Sequence, residues 1–194
     1  HEHLEYYSLK SLKYLLDKAG LKVINLSFNQ INGGSIEVDI AKKKSKLIEC
    51  KHLIKWVLES ERLNKYNEII KHKQFFKECK NHKILLKKLL LTLKKQNKKI
   101  LGYGASTKGN VLLQFCNIDS KVLDCIAEVN KFKFNKYTPG SNIKIISEKA
   151  AKLKKPDYML ALPWHFKDHI IKREQNFLKK GGKLIFPLPD IEII

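Results

Sequence analysis

Short apolar runs alternate with helical patterns through residues 98–194, and this alternation constrains the fold more than any other feature. The runs begin near residues 100, 124, 142, 157 and 183 and read ILGYG, DCIAEV, NIKII, DYMLALP and KLIFPLP. Short buried runs joined through helices are typical of a mainly parallel sheet. We therefore predict an α/β domain over residues 98–194, with ligands bound at the carboxyl ends of its strands.

The first half of the chain has a different pattern. Leucines at helical spacing predict a helix over residues 8–19, and two alternating runs around the NGG turn at 32–34 predict a β-hairpin. Residues 51–96 have a continuous helical pattern, with a break expected near Asn81. We predict a helix plus β-hairpin in residues 1–48 and a helical linker in residues 49–97.

The formal net charge of +20 suggests nucleic acid or an anionic membrane as a partner. Other features argue against this. Only two of the 39 basic residues are arginines, and the excess charge is concentrated in residues 51–99, as on a solvated lysine-rich helix. We expect no nucleic-acid partner, and a noncatalytic basic nucleic-acid-binding module stays as an alternative.

The four cysteines form no CxxC pair and have no zinc-ligand spacing. No apolar run approaches the length of a membrane span, and no signal peptide opens the chain. We therefore expect free thiols, a cytoplasmic location and no membrane partner. Because the first residue is histidine, we also expect the chain to be a piece of a longer protein.

The stretch LGYGASTKGN, residues 101–110, is a candidate anion-binding loop between a strand and a helix. It is not a P-loop, because Asn110 and Val111 stand where lysine and serine would be required. It departs from a dinucleotide fingerprint because Thr107 stands where the third glycine belongs, although Glu128 could close the second strand and hold a ribose. An NAD(P)-binding Rossmann oxidoreductase fragment and a tight turn without a ligand both remain open.

Five segments together resemble one family. HEHLEYYSLKSLKYLLDKAGLKV, NGGSIEV, LGYGASTKGNVLLQF, YTPGSNIKI and PDYMLALPWHF occur in the order found in the S-adenosylmethionine-dependent sugar C-methyltransferases, which act on nucleotide-linked keto-deoxysugars. The resemblance extends over nearly the whole chain, so it is more specific than the glycine loop alone. It implies a role in deoxysugar biosynthesis.

The resemblance also implies a domain order: a small zinc-binding domain, a Rossmann-like domain for the methyl donor, and a Rossmann-like C-terminal domain. Residues 1–48 would then be the end of the donor domain, and residues 98–194 the C-terminal domain. S-adenosylmethionine would be bound mainly by polypeptide that precedes this chain, and zinc only by the first domain. The resemblance implies a thymidine-diphosphate sugar as substrate; we expect a monomer and expect the chain alone to be inactive.

Site residues follow from the resemblance, position by position. Glu2 and His3 match the family's tyrosine-x-glutamate-histidine motif, so His3 is the expected base and Glu2 a polar or orienting residue. The remaining expected contacts are with the sugar nucleotide: Gly102, Gly104, Ser106, Thr107, Lys108, Glu128, Pro139, Gly140, Trp164 and His165. His165 and His169 have a spacing that can bind metal, but without a third ligand nearby we expect no metal site.

Overall fold

A computed structural model describes residues 5–31 and 34–194 of the protein. The chain divides into two compact units, His1–Glu78 and Cys79–Ile194. The expected catalytic residues Glu2 and His3 lie outside the described residues, as do two residues of the NGG turn, Asn32 and Gly33.

The first unit contains a helix, a two-stranded antiparallel sheet and a second helix. These elements are α1 (Leu9–Lys18), β1 (Leu21–Asn29), β2 (Ser35–Lys42) and α2 (Lys51–Leu63). Ser8 caps α1 by accepting a hydrogen bond from the Ser11 amide. The buried core of this unit is small and consists of Leu9, Val23, Leu26, Ile54 and Val57. The predicted helix and hairpin are present.

The expected helix break near Asn81 is wrong. Helix α3 runs without interruption over Ile69–Lys95, and the break lies before it, at residues 64–68. Lys65 has a φ of 58°, in the left-handed region, and this conformation follows the end of α2 without a glycine or proline. The boundaries of the predicted linker, residues 49–97, stay a prediction.

The second unit contains a six-stranded sheet with helices on both faces. Its strands are β3 (Ile100–Tyr103), β4 (Ile126–Glu128), β5 (Ile145–Ser147), β6 (Tyr158–Ala161), β7 (Lys183–Phe186) and β8 (Glu192–Ile193). The spatial order is β5-β4-β3-β6-β7-β8, in which all neighbours are parallel except β7 and β8. This is the order of a Rossmann-like sheet, and the mainly parallel α/β prediction is confirmed.

Alternation along the strands sends neighbouring side chains to opposite faces of this sheet. On one face Ile100 packs with α4 (Thr107–Phe115) and the C-terminal part of α3. On the other, Leu101 packs against α5 (Glu148–Leu153), and Tyr103 packs in the cluster that contains Ile170 of α6 (Lys167–Arg173). The last helix, α7 (Gln175–Lys179), follows α6 directly. Both faces are covered, as a parallel sheet requires.

Glycines allow β3 and α4 to approach their neighbours closely. A Cβ on Gly102 would lie 2.7 Å from Ile126 Cγ1, and a Cβ on Gly109 would lie 2.4 Å from Leu162 Cβ. Gly104 has a φ of +75°, and a Cβ on it would lie 2.9 Å from Pro163 Cδ. These contacts leave no room for a side chain, so the glycines set the separation of strand and helix.

We predict that Gly109→Ala destabilises the protein, because Leu162 Cβ is fixed to its backbone and cannot rotate away. Overpacking typically costs about 1–3 kcal/mol and alanine regains about 1 kcal/mol of helix propensity, so we expect a net loss of up to about 2 kcal/mol in urea unfolding. Val111→Ala is the control, because Val111 is 64% exposed on the same helix. Equal midpoints for the two variants would show that Leu162 can move aside.

Candidate functional site

A cleft of about 440 Å³ opens at the carboxyl ends of the central strands of the second unit. It lies where β3 and β6 are neighbours although they are not consecutive in the chain. At this switch point the connections leave in opposite directions, which creates the crevice used for ligands in open α/β sheets. The lining residues are Tyr103, Gly104, Ala105, Ser106, Ala127, Glu128, Val129, Lys133, Glu148, Pro163, Phe166, His169, Ile170 and Arg173.

The glycine loop forms one wall of the cleft and leads into α4. The Ser106 hydroxyl caps that helix, accepting a hydrogen bond from the Gly109 amide at 2.9 Å. Thr107 and Lys108 are the first two helical residues, so they lie at the positive end of the dipole of α4. This end of a helix favours a bound anion.

Glu128, the last residue of β4, is buried beneath the loop with 7% of its surface exposed. Its Oε2 accepts a hydrogen bond from the Ala105 amide at 2.8 Å, and its Oε1 accepts the amides of Val129 at 2.8 Å and Asn130 at 2.9 Å. Lys133 lies 3.7 Å from the same carboxylate and donates to the Ala105 carbonyl at 2.7 Å. The loop is therefore tied to β4 through the Ala105 peptide.

A buried polar network lies under the opposite wall. The Tyr103 hydroxyl donates to Glu174 Oε1 at 3.1 Å, and Lys152 pairs with Glu174 Oε2 at 2.9 Å. Arg173 pairs with Glu148 at 2.5 Å and lies over the Tyr103 ring. Burial raises the pKa of Tyr103, and the nearby Glu174 carboxylate raises it further. Tyr103 therefore remains a neutral hydrogen-bond donor at physiological pH.

Trp164 and His165 form a short helical turn after β6. Trp164 is half-buried against both core clusters of this region, whereas His165 is exposed and lies edge-on to it, with 5.9 Å between ring centroids. Partial burial lowers the pKa of His165, and the nearby Lys108 ammonium lowers it further. The structure thus brings His165 near the start of α4, and it places His169, one helical turn later, in the cleft itself.

Of the ten predicted contacts, three line the cleft: Gly104, Ser106 and Glu128. Four others directly follow lining residues in the chain: Thr107, Lys108, Trp164 and His165.

The remaining three lie away from the cleft or inside the fold. Pro139 and Gly140 form a turn just before the amino end of β5, where Gln114 donates to the Pro139 carbonyl at 3.0 Å. Gln114 is near the C-terminal end of α4, so this turn lies at the edge of the sheet opposite the cleft. Gly102 is buried within β3. Their expected roles in binding stay predictions.

A second hollow, of about 520 Å³, lies between α5 and α7. Its lining includes Met159, Phe177 and Lys180, and it shares Arg173 with the cleft. None of the predicted site residues lines it. The cleft is the better candidate for a ligand site although it is the smaller of the two hollows. Of the two, only the cleft lies at the carboxyl ends of β3 and β6, where ligands bind in sheets of this kind.

Among residues 5–31 and 34–194, no three histidine, cysteine, aspartate or glutamate side chains are grouped to hold a metal ion. Over the same described residues, no helix combines the length and the apolar character needed to cross a bilayer.

Sequence reasoning missed several residues of the cleft. Glu148 directly follows the β5 strand and Tyr103 ends β3, so the rule that ligands bind at strand ends could have identified both. Arg173 is one of only two arginines in the chain, and that rarity was a usable signal. Lys133 is one lysine among many, and nothing in its local sequence distinguishes it.

Two comparisons with known proteins concern the family of this chain. A family model described as the C-methyltransferase C-terminal domain matches residues 30–189. The C-methyltransferase NovU of Streptomyces niveus is 32% identical over 194 residues, which is all of this chain and 46% of that protein. The chain therefore spans less than half the length of the curated relative it matches.

Proposed function

The chain belongs to the family that carries the C-methyltransferase C-terminal domain, and we propose that it binds the nucleotide-linked keto-deoxysugar whose carbon is methylated. The observation that carries this proposal is the cleft at the β3–β6 switch point, with the glycine loop and Ser106, the cap of α4, at its wall. The substrate we propose is a thymidine-diphosphate sugar, bound by a cytoplasmic enzyme that acts as a monomer.

The start of α4 is suited to the diphosphate. Ser106, Thr107 and Lys108 offer two hydroxyls, an ammonium and the first-turn amides of a helix within three consecutive residues. Hydrogen bonds between charged donors and phosphate oxygens are about twice as strong as neutral ones. Trp164 and His165 follow the neighbouring strand, and we propose that they contact the nucleoside or the sugar.

The same cleft does not suit S-adenosylmethionine. Its sulfonium is a cation, and the two carboxylates among the described lining residues are already engaged, Glu128 by backbone amides and Glu148 by Arg173. We propose that the methyl donor binds mainly to polypeptide outside this chain, in the domain that residues 1–48 would complete. The exposed Phe28 and Ile40 of the two-stranded sheet support that assignment, because a lone hairpin is marginally stable.

The chemistry requires removal of a proton from the carbon beside the sugar's ketone, which leaves an enolate that can form the new carbon–carbon bond. We propose that His3 takes this proton, because the unperturbed pKa of imidazole lies near neutral pH. Glu2 would orient the imidazole or the sugar. Both residues lie outside the described residues, so their roles are carried by the family motif alone.

We predict that Lys108→Met weakens binding of thymidine diphosphate about tenfold, which corresponds to about 1.4 kcal/mol for a lost charge-assisted hydrogen bond. Isothermal titration calorimetry measures the change. Lys121→Met is the matched control, because it removes the same charge from an exposed position just before β4, at the opposite edge of the sheet. We expect less than a twofold change in that variant.

Equal losses in the two lysine variants, with strong and salt-sensitive binding of DNA, would contradict the proposal. Those results would favour a basic nucleic-acid-binding module, in which charge rather than the loop determines binding.

We predict that His3→Asn, made in the full-length protein encoded by the gene, lowers proton exchange at the carbon beside the ketone by about 100-fold or more. Exchange of this proton for deuterium in D₂O is followed by NMR on the nucleotide-linked keto-deoxysugar. We expect the dissociation constant for the sugar nucleotide to change less than twofold. Unchanged exchange in this variant would remove His3 from the mechanism.

A further inference from the structure

The Glu128 carboxylate has little capacity left for a ligand. A carboxylate offers about four acceptor sites. In Glu128, three of these receive backbone amides, from Ala105, Val129 and Asn130, and the Lys133 ammonium lies 3.7 Å from Oε2. The side chain is also 93% buried, with only 7% of its surface exposed. An acidic residue that held a ribose would instead keep acceptor positions on its carboxylate for the sugar hydroxyls.

The same two side chains bind both backbone polar groups of one residue, Ala105, and so hold the two peptide units on either side of it. Glu128 accepts from the Ala105 N–H at 2.8 Å, and Lys133 donates to the Ala105 carbonyl at 2.7 Å. Ala105 lies between Gly104, whose φ is +75°, and Ser106, which caps α4. Because the peptide units before and after Ala105 are both held, the direction in which the chain enters the helix is fixed as well.

We propose that Glu128 and Lys133 are positioning residues that preset the glycine loop for the diphosphate, and that Glu128 does not contact the ribose. This inference rests on the proposed function, because it assumes that the loop binds the diphosphate of a sugar nucleotide. Holding the loop in its bound conformation before the ligand arrives avoids an ordering cost during binding.

Positioning and direct ribose contact predict different ligand dependence. If Glu128 held the ribose, its removal would affect only ligands that carry the contacted hydroxyl. If Glu128 positions the loop, its removal weakens every ligand that carries the diphosphate, by one common factor. Coulomb repulsion alone predicts the opposite change in affinity, because removing the negative charge of Glu128 would strengthen binding of the diphosphate anion.

The test compares thymidine diphosphate with 3′-deoxythymidine diphosphate. The second ligand has the same charge but lacks the 3′-hydroxyl, the one free hydroxyl on the deoxyribose of thymidine diphosphate. For the unmodified protein we expect equal dissociation constants within a factor of two. For Glu128→Gln we expect both ligands to bind about tenfold more weakly. The glutamine amide has one acceptor oxygen and two N–H donors, so it cannot accept all the amides that Glu128 accepts.

Asp124→Asn is the control, because it removes a negative charge just before β4 from an exposed side chain paired with Lys94. We expect it to bind both ligands like the unmodified protein. Weaker binding of thymidine diphosphate alone in Glu128→Gln would overturn the inference and assign a ribose contact.

Circular dichroism establishes whether Glu128→Gln is folded. If it is not folded, the test uses the unmodified protein only. Tenfold weaker binding of 3′-deoxythymidine diphosphate than of thymidine diphosphate would then contradict the positioning role, and equal affinities would support it. If the unmodified protein binds neither ligand, the proposed function fails and the inference fails with it.

Discussion

The close approach of β3 and α4 to their neighbours is the constraint on which the second unit depends. At Gly102, Gly104 and Gly109, any side chain would collide with Ile126, Pro163 or Leu162. Because these glycines lie just before, within and just after the turn, β3 packs tightly at the centre of the sheet and the start of α4 is held beside β6. The cleft lies beside these close contacts, at the point where the strand order reverses.

Around this packed centre, the polar residues divide into those that hold the fold and those that can meet a ligand. Glu128 and Lys133 hold the Ala105 peptide, and Glu174 ties Tyr103 of the central strand to Lys152 of α5. Both glutamates are buried and fully partnered, as buried charges must be. Ser106, which caps α4, lines the cleft, and the two residues after it carry polar groups suited to phosphate. This contrast underlies the proposed division of roles.

The fold could be predicted from the sequence because its signals are local. Alternating strands and helices and the glycines of the β3–α4 turn each act over a few residues, and the sheet follows from them. The junction of α6 and α7 has no such local signal: Glu174, at this junction, accepts a hydrogen bond from Tyr103, 71 positions earlier in the chain. The two-residue strand β8 is too short to show a period.

The candidate site was predictable in part for the same reason. The glycine loop and Glu128 are visible from their positions at strand ends, but the atoms that Glu128 contacts are not. Its Ala105 partner is 23 residues away, and the pairing depends on the parallel register of β3 and β4.

The break between α2 and α3 could not be predicted either. Residues 64–68 contain no glycine or proline, so only the left-handed Lys65 backbone marks this break.

The most direct test of the central claim is an NMR titration of the backbone amides of residues 104–108 with a thymidine-diphosphate sugar and, separately, with NADH. The proposed function predicts saturable shifts of the Thr107 and Lys108 amides with the sugar nucleotide and none with NADH. Saturable binding of NADH at this loop, without binding of the sugar nucleotide, would contradict it and favour a nicotinamide-dependent oxidoreductase.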